Sequence, residues 1–102
     1  MIRMPVDKEQ IAEFCRKWKI TQFSVFGSVL RDDFGPESDV DVLVSFREDA
    51  GWSLFDWVEM VDELKEVFGR DVDLLSRRGV ESSRNPLRRR AIISSAEIIY
   101  AA

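Results

Sequence analysis

The chain has 102 residues, a formal net charge of −4 and a hydrophobic content of 45%, which fit one small globular domain over residues 1–102 and exclude a disordered chain. No apolar run approaches a membrane span and no signal-peptide pattern opens the sequence, so we expect a cytoplasmic protein outside the membrane. One cysteine and no histidine exclude an internal disulfide and histidine-based acid–base chemistry. Carboxylates remain to handle metals and protons.

Charge is divided unevenly along the chain. Residues 1–75 hold 9 Lys and Arg against 17 Asp and Glu, whereas residues 76–102 hold 6 Arg against 2 Glu. A basic segment beside an acidic body favours an anionic partner or substrate at that segment. The alternative is an ordinary solvated helix face.

The first quarter of the chain predicts a helix and then a strand. Asp7 is a suitable N-cap, and the apolar residues that follow recur at helical spacing: Ile11, Phe14, Cys15 and Trp18. Because Cys15 lies in this stripe, we expect it to pack in the core and not to be a reactive thiol. Residues 22–26 predict a short strand that ends at Gly27.

Residues 39–46 predict a strand whose two faces differ in chemistry. Val40, Val42 and Val44 share one face, and Asp39, Asp41 and Leu43 share the other. Burying the aspartates without partners would be prohibitive, so their face must stay partly open.

The rest of the chain predicts two helices and two further strands. Ser53 is a suitable cap for a helix that Gly69 ends, with an expected buried face of Leu54, Trp57, Val58, Val61, Leu64 and Phe68. Residues 71–75 and 97–100 predict strands, and Asn85-Pro86 begins a last helix. The pattern predicts an α/β (α+β) fold, a small mixed sheet covered mainly on one face by helices.

Asp39 and Asp41 are candidates for binding metal. Side chains at i and i+2 of a strand share a face, with Cα atoms about 6.5–7 Å apart, so both carboxylates can lean over a pair of cations. Hard oxygen ligands favour Mg²⁺, with Mn²⁺ as the alternative. If the strand at residues 71–75 is a neighbour, Asp73 is the natural third carboxylate and can accept a proton from an attacking hydroxyl. The alternative is a solvent-exposed strand face.

Gly27 and Ser28 form a turn that can hold a phosphate. Without a Cβ the backbone can approach the anion closely, and the N–H groups that open the next helix point at it. The Ser28 hydroxyl adds a donor. Arg31, one turn on, can pair with a phosphate or with Asp33 or Glu37. A Gly-Ser turn after a strand is also commonplace, so it is the order of the motifs that carries the inference.

That order resembles the nucleotidyltransferases of the DNA polymerase β-like superfamily. The resemblance rests on a Gly-Ser turn, a Ser-Asp-x-Asp strand and a later aspartate, here Gly27, Ser28, Arg31, Asp33, Ser38, Asp39, Asp41 and Asp73. Its nearest form is the minimal nucleotidyltransferase (MNT), whose usual ending also resembles Asn85-Pro86, the arginine-rich helix and the terminal Ile-Ile-Tyr. The resemblance implies the nucleotidyltransferase fold.

The resemblance also implies a function. ATP would bind through Gly27, Ser28, Arg31 and Ser38, and two Mg²⁺ ions would sit on the catalytic residues Asp39, Asp41 and Asp73. Many MNT proteins are encoded with a HEPN-domain protein, and the two resemble a toxin–antitoxin pair. Some MNT proteins transfer AMP to a tyrosine of the toxin. The alternatives are an antitoxin that only occludes its partner and a nucleotidyltransferase that acts on a small molecule or tRNA. Sequence-specific nucleic acid binding is not expected.

Overall fold

The computed structural model describes residues 6–30, 35 and 38–102. In chain order the elements are α1 (Lys8–Lys17), β1 (Ile20–Phe26), a 3₁₀ helix (Gly27–Leu30), β2 (Val40–Phe46), α2 (Leu54–Phe68), β3 (Val72–Ser76), α3 (Arg77–Glu81), α4 (Pro86–Ser95) and β4 (Glu97–Ala101). The strands form one sheet in the order β3-β2-β1-β4. β2 and β3 run parallel, and the other two pairs are antiparallel. The predicted mixed sheet with helices is confirmed.

One face of the sheet carries the main core. Val40, Val42 and Val44 of β2 are completely buried, and β1 places Val25 and Phe23 beside them in register. Helices α1 and α2 cover this face with Ile11, Phe14, Cys15, Met60, Leu64 and Phe68. The predicted alternation of β2 is therefore confirmed on its apolar side.

The opposite face is only partly covered. Leu43 of β2 packs there with Val80 of α3 and Ile92 of α4 in a smaller cluster. Asp41 shares this face by strand alternation, and Asp73 of β3 lies beside it. The aspartates thus occupy the end of the face that the two C-terminal helices leave open.

The predicted helix ends are confirmed by hydrogen bonds. The Asp7 carboxylate accepts the backbone N–H groups of Glu9 and Gln10 at 3.1 and 3.2 Å. Ser53 and Asp56 form a capping box at the start of α2, and Gly69 ends that helix in the left-handed conformation. The Asn85 side chain accepts from the Arg88 N–H and caps α4. These local signals act within a few residues, which explains why they could be predicted.

Burial also agrees with the expectation for the cysteine. Cys15 is fully buried, and desolvation raises the pKa of its thiol to about 12, with Arg16 opposing part of that rise. The thiol is therefore protonated at neutral pH and packs as a small apolar group.

Two expectations about the α2 region were wrong. Leu54 and Val58 are 77% and 52% exposed, while Met60, absent from the expected face, is completely buried. Met60, Leu64 and Phe68 recur every four residues and define the covered face, so Leu54 and Val58 lie on its flank.

Helix α3 is an addition to the predicted elements. Ser76 caps it by accepting the Gly79 N–H at 3.0 Å, and Arg77 pairs with Glu81 at 2.8 Å. Within the described residues no helix is both long and apolar enough to cross a membrane.

Candidate active site

Asp41 and Asp73 are neighbours across two parallel strands. They are register partners in the β2–β3 ladder, where adjacent strands lie about 4.8 Å apart. Asp41 is half-buried and Asp73 is exposed. The sequence-based condition for a third carboxylate, that its strand adjoins β2, is therefore met by Asp73.

Asp39 lies two residues before Asp41, at the entrance to β2. It is exposed, and the next residue, Val40, donates its N–H to the Asp71 carbonyl at 3.0 Å. This bond extends the pairing of the two strands back to the position of Asp39. Among the described residues no three acidic, cysteine or histidine side chains already converge as a metal-binding cluster. The backbone nevertheless places all three aspartates on one end of one sheet face.

Gly27 lies directly against the Asp41 carboxylate. Its φ of +73° is in the left-handed region, and a Cβ added at this position would overlap Asp41 Oδ2 and lie 3.3 Å from Asp41 Cγ. Two independent constraints therefore require glycine here, the backbone conformation and the space that the carboxylate occupies. The predicted phosphate turn and the predicted metal ligand are in contact.

Gly35 and Ser38, which precede Asp39, are hydrogen-bonded to each other and to Arg70. The Ser38 N–H donates to the Gly35 carbonyl at 3.0 Å, and the Gly35 N–H donates to Ser38 Oγ at 3.1 Å. The guanidinium of Arg70, which lies between Gly69 and β3, donates to the carbonyls of Gly35 and Ser38 at 2.9 and 3.3 Å. Ser38, expected to bind the nucleotide, here uses its hydroxyl to brace the segment.

Arg70 was missed by sequence reasoning. It follows Gly69 at the end of α2 and precedes the Asp71-Val72-Asp73 strand. A lone arginine at a helix end is an ordinary surface residue, and nothing in the sequence pairs it with carbonyls more than 30 residues earlier. Its position between two aspartate-bearing segments was the available signal.

Some predicted site residues cannot be placed. Arg31 and Asp33 lie outside the described residues. Ser28 is the second residue of the 3₁₀ helix, and its side chain likewise lies outside the described part of the structure. Their predicted roles remain predictions.

The arrangement supports a specific kind of chemistry. A glycine turn at the end of β1 touches a carboxylate of β2, which is the register partner of a carboxylate of β3. Mg²⁺ usually takes one or two protein carboxylates and completes its shell with substrate phosphates and water. Asp41 and Asp73 could supply those carboxylates, beside a turn suited to phosphate. This mixed sheet and site define a class of enzyme that transfers nucleotides.

Comparison with known proteins agrees. Residues 7–99 match the nucleotidyltransferase domain family. The chain belongs to this family and is a nucleotidyltransferase. The Methanocaldococcus jannaschii protein MJ0435, whose name gives protein adenylyltransferase as a provisional activity, is 36% identical over 89 residues, which cover 87% of this chain and 89% of that protein. The protein adenylyltransferase MntA of Thermococcus cleftensis is 33% identical over 70 residues, 69% of each chain.

Solved structures share the fold. A crystal structure of a toxin–antitoxin with AMP-PNP superposes with a TM-score of 0.72 at 18% identity, covering 95% of this chain and 75% of that one. The complex of a tri-AMPylated Shewanella oneidensis HEPN toxin with its MNT antitoxin superposes with a TM-score of 0.61 at 18% identity, covering 93% and 70%. The relatives at 36% and 33% identity and the structure of a minimal nucleotidyltransferase at 30% identity, with a TM-score of 0.67 and coverage of 88% of this chain and 86% of that one, confirm the resemblance drawn from the sequence.

Proposed function

We propose that this protein is a Mg²⁺-dependent protein adenylyltransferase and an antitoxin, which transfers AMP from ATP to a tyrosine of a cytoplasmic HEPN-type toxin. The observation that carries the proposal is the contact between Gly27 and the Asp41 carboxylate, next to Asp73. It joins the phosphate turn to the candidate metal ligands. The names of the two relatives support a protein as the acceptor.

ATP binds with its triphosphate at the Gly27-Ser28 turn, where backbone N–H groups are available and no Cβ obstructs the anion. Asp39, Asp41 and Asp73 would hold Mg²⁺, which when bound neutralises phosphate charge and orients the α-phosphate. The Arg70 bonds to Gly35 and Ser38 hold the backbone that leads into Asp39. The chain thus contributes position and charge to the reaction.

In the transfer step the acceptor tyrosine oxygen forms a bond to the α-phosphorus. The bond from that phosphorus to the bridging oxygen breaks, and pyrophosphate leaves with the electron pair. The tyrosine proton passes to the Asp73 carboxylate, which lies on the exposed edge strand where an acceptor can approach. The product is a phosphodiester that links AMP to the partner.

The arginine-rich segment supplies a docking surface for the partner. Helix α4 carries Arg88, Arg89 and Arg90 without an acidic residue, on a chain that is acidic elsewhere. Arg88 and Arg90 are exposed, so an acidic face of the toxin can dock there. Replacing the three arginines with serine should weaken complex formation and largely preserve ATP binding by the isolated protein. Loss of ATP binding with an intact complex would assign the segment to the nucleotide site.

The central experiment separates modification from occlusion. The protein is co-expressed with a candidate HEPN-type partner, and the partner is examined by mass spectrometry for added AMP and by a growth assay. Asp73→Asn should retain Mg-ATP binding but lower transfer by roughly 10²–10⁴-fold, because the proton acceptor is lost. The partner then stays unmodified and toxic.

Asp71→Asn is the matched control for this experiment. Asp71 is exposed, lies two residues before Asp73, and its carboxylate is 4.0 Å from the Lys65 ammonium. Because Asp71 is not a candidate site residue, the Asp71→Asn variant should transfer AMP normally. A partner that is never modified yet is fully neutralised by both variants would make this chain an occluding antitoxin. AMP found on tRNA or a small molecule, with the partner unmodified, would reassign the acceptor.

A further inference from the structure

A cavity of about 320 Å³ lies at the β3 edge of the sheet, between α2, β3, α3 and α4. Its walls are mostly apolar and include Trp57, Leu75, Val80 and Ile92, and its charged lining consists of Arg88 and Arg89. The aspartates are not part of this lining, so the cavity is a second site adjacent to the first.

Strand geometry fixes the cavity's place relative to the reaction. Leu75 is two residues beyond Asp73 on the same sheet face, about 6.5–7 Å along β3. Across the sheet, Gly27 follows β1, Asp41 is in β2 and Asp73 is in β3, the edge strand. The part of the cavity that Leu75 lines is therefore near Asp73 on the edge strand, and Gly27 lies two strands away.

The in-line geometry of phosphoryl transfer indicates from which side the acceptor approaches. The attacking and leaving oxygens lie on opposite sides of the phosphorus in phosphoryl transfer. With pyrophosphate leaving toward Gly27, the acceptor approaches from the β3 side. The cavity borders that approach.

The lining of the cavity fits an aromatic side chain of a protein. Apolar walls can bury a ring, and an arginine can lie against the face of that ring. Leu54, one helical turn before Trp57, and Leu87, the residue before Arg88, are 77% and 78% exposed. Large exposed apolar side chains on the helices that form a site are typical of a surface that a second protein covers.

We propose that this cavity is the acceptor pocket and receives the tyrosine side chain of the protein substrate, whose flanking backbone covers Leu54 and Leu87. The inference rests on the proposed function, since it assigns the place of the acceptor in that reaction. The adenine base of ATP is the competing occupant.

The first test is a nuclear magnetic resonance titration of the full chain with N-acetyl-tyrosinamide and, separately, with Mg-ATP. We expect the tyrosine probe to shift the Trp57 indole and Val80 amide signals, and Mg-ATP to shift the Gly27 and Asp41 amides. Shifts of the Trp57 and Val80 signals by Mg-ATP would place the base in the cavity and overturn the proposal. No shift there with either probe would also overturn it.

The second test fills the cavity. Ser83 lines the cavity and Ser82 does not, although they are adjacent. The hydroxyl of each makes one local hydrogen bond, at 3.2 Å for Ser83 and 2.9 Å for Ser82. Ser83→Phe should lower AMP transfer to the HEPN-type partner by at least about tenfold, because the acceptor is displaced from its attack position. ATP affinity should stay within about twofold for both variants, and transfer by Ser82→Phe should also stay within about twofold.

The outcomes separate the two proposals. If wild type transfers no AMP to the partner but tyrosinamide shifts Trp57 and Val80, the proposed function fails and the cavity remains an aromatic-binding site. If wild type transfers AMP and Ser83→Phe transfers as well as Ser82→Phe, the acceptor pocket is wrong and the function stands.

Discussion

The two faces of the sheet are built from the same strands but are stabilised differently. On one face Val40, Val42 and Val44 are completely buried under α1 and α2. On the other, the alternating residues are Asp41, which touches the Gly27 turn, and Leu43, which packs in a small cluster. A residue's face therefore predicts whether its loss affects stability or chemistry, because the period of a strand is two.

The largest expected effect on the open face comes from the aspartate pair. Asp39→Asn combined with Asp41→Asn removes ligand charge at constant volume, so AMP transfer should fall by more than about 100-fold. The fold should persist, because asparagine has nearly the same volume as aspartate. Radiolabelled ATP and circular dichroism provide the two measurements.

Asp49→Asn is the control for the aspartate pair. Asp49 is exposed near Arg47 and Lys19, at 3.3 and 3.6 Å, away from the candidate site. It should transfer AMP normally. Near-normal transfer by the folded double variant would remove the catalytic role of the pair.

Gly27→Ala should affect chemistry and conformation together. The added Cβ meets the Asp41 carboxylate, and the left-handed backbone costs about 1–2 kcal/mol for a residue other than glycine. We expect Gly27→Ala to weaken Mg²⁺-dependent ATP binding, measured by calorimetry. Gly27→Val, with its larger side chain, should abolish that binding.

Gly69→Ala isolates the conformational part. Its φ is +69°, almost that of Gly27, but nothing lies within 4 Å of an added Cβ. It should lose similar stability and keep ATP binding. Equal ATP affinity for the two alanine variants would place the phosphate away from Gly27.

Arg70 tests whether the segment before Asp39 must be held in place. Arg70→Met removes the donors to the Gly35 and Ser38 carbonyls, so the Mg²⁺ concentration for half-maximal transfer should rise by about 10–100-fold. Arg70→Lys keeps one cationic donor and should recover part of the loss. An unchanged Mg²⁺ requirement for Arg70→Met would make this contact structural only.

The sequence predicted those features whose cause is local. The caps at Asp7, Ser53 and Asn85 and the alternation of β2 depend on residues within one or two turns. The flanking position of Leu54 could not be predicted, because it depends on how α2 is rotated over the sheet. The same limit applies to Arg70, whose partners are set by the parallel pairing of β2 with β3.

The motif order predicts the candidate site residues but not the contacts between them. The motif order identified Gly27, Asp41 and Asp73. That Gly27 makes space for the Asp41 carboxylate follows from the close approach of the β1 end to β2, which no spacing rule contains. The glycine thus has a second role, beyond access for phosphate.

Substitutions on the packed face should have the smallest effect on AMP transfer and a large effect on stability. Leu64→Ala leaves a cavity in the main core and should lower the free energy of unfolding by about 2–5 kcal/mol, while transfer per folded molecule stays unchanged. Urea unfolding and a transfer assay on the same preparation measure both quantities. If Leu64→Ala lowered AMP transfer per folded molecule as much as the aspartate variants do, the two faces would be coupled.

Cys15 reports on the same packed face without touching the site. Burial raises the pKa of its thiol from 9.0 to about 12, so the folded state keeps the proton that the unfolded state releases above pH 9. The free energy of unfolding should therefore be constant below pH 9 with respect to this group and fall between pH 9 and 12. Cys15→Ala should remove that part of the pH dependence. In wild type the thiol should react with iodoacetamide only as fast as the core opens, and Leu64→Ala should raise that rate while leaving AMP transfer at its wild-type value. Rapid labelling of the native wild-type protein would contradict the burial on which the comparison of the faces depends.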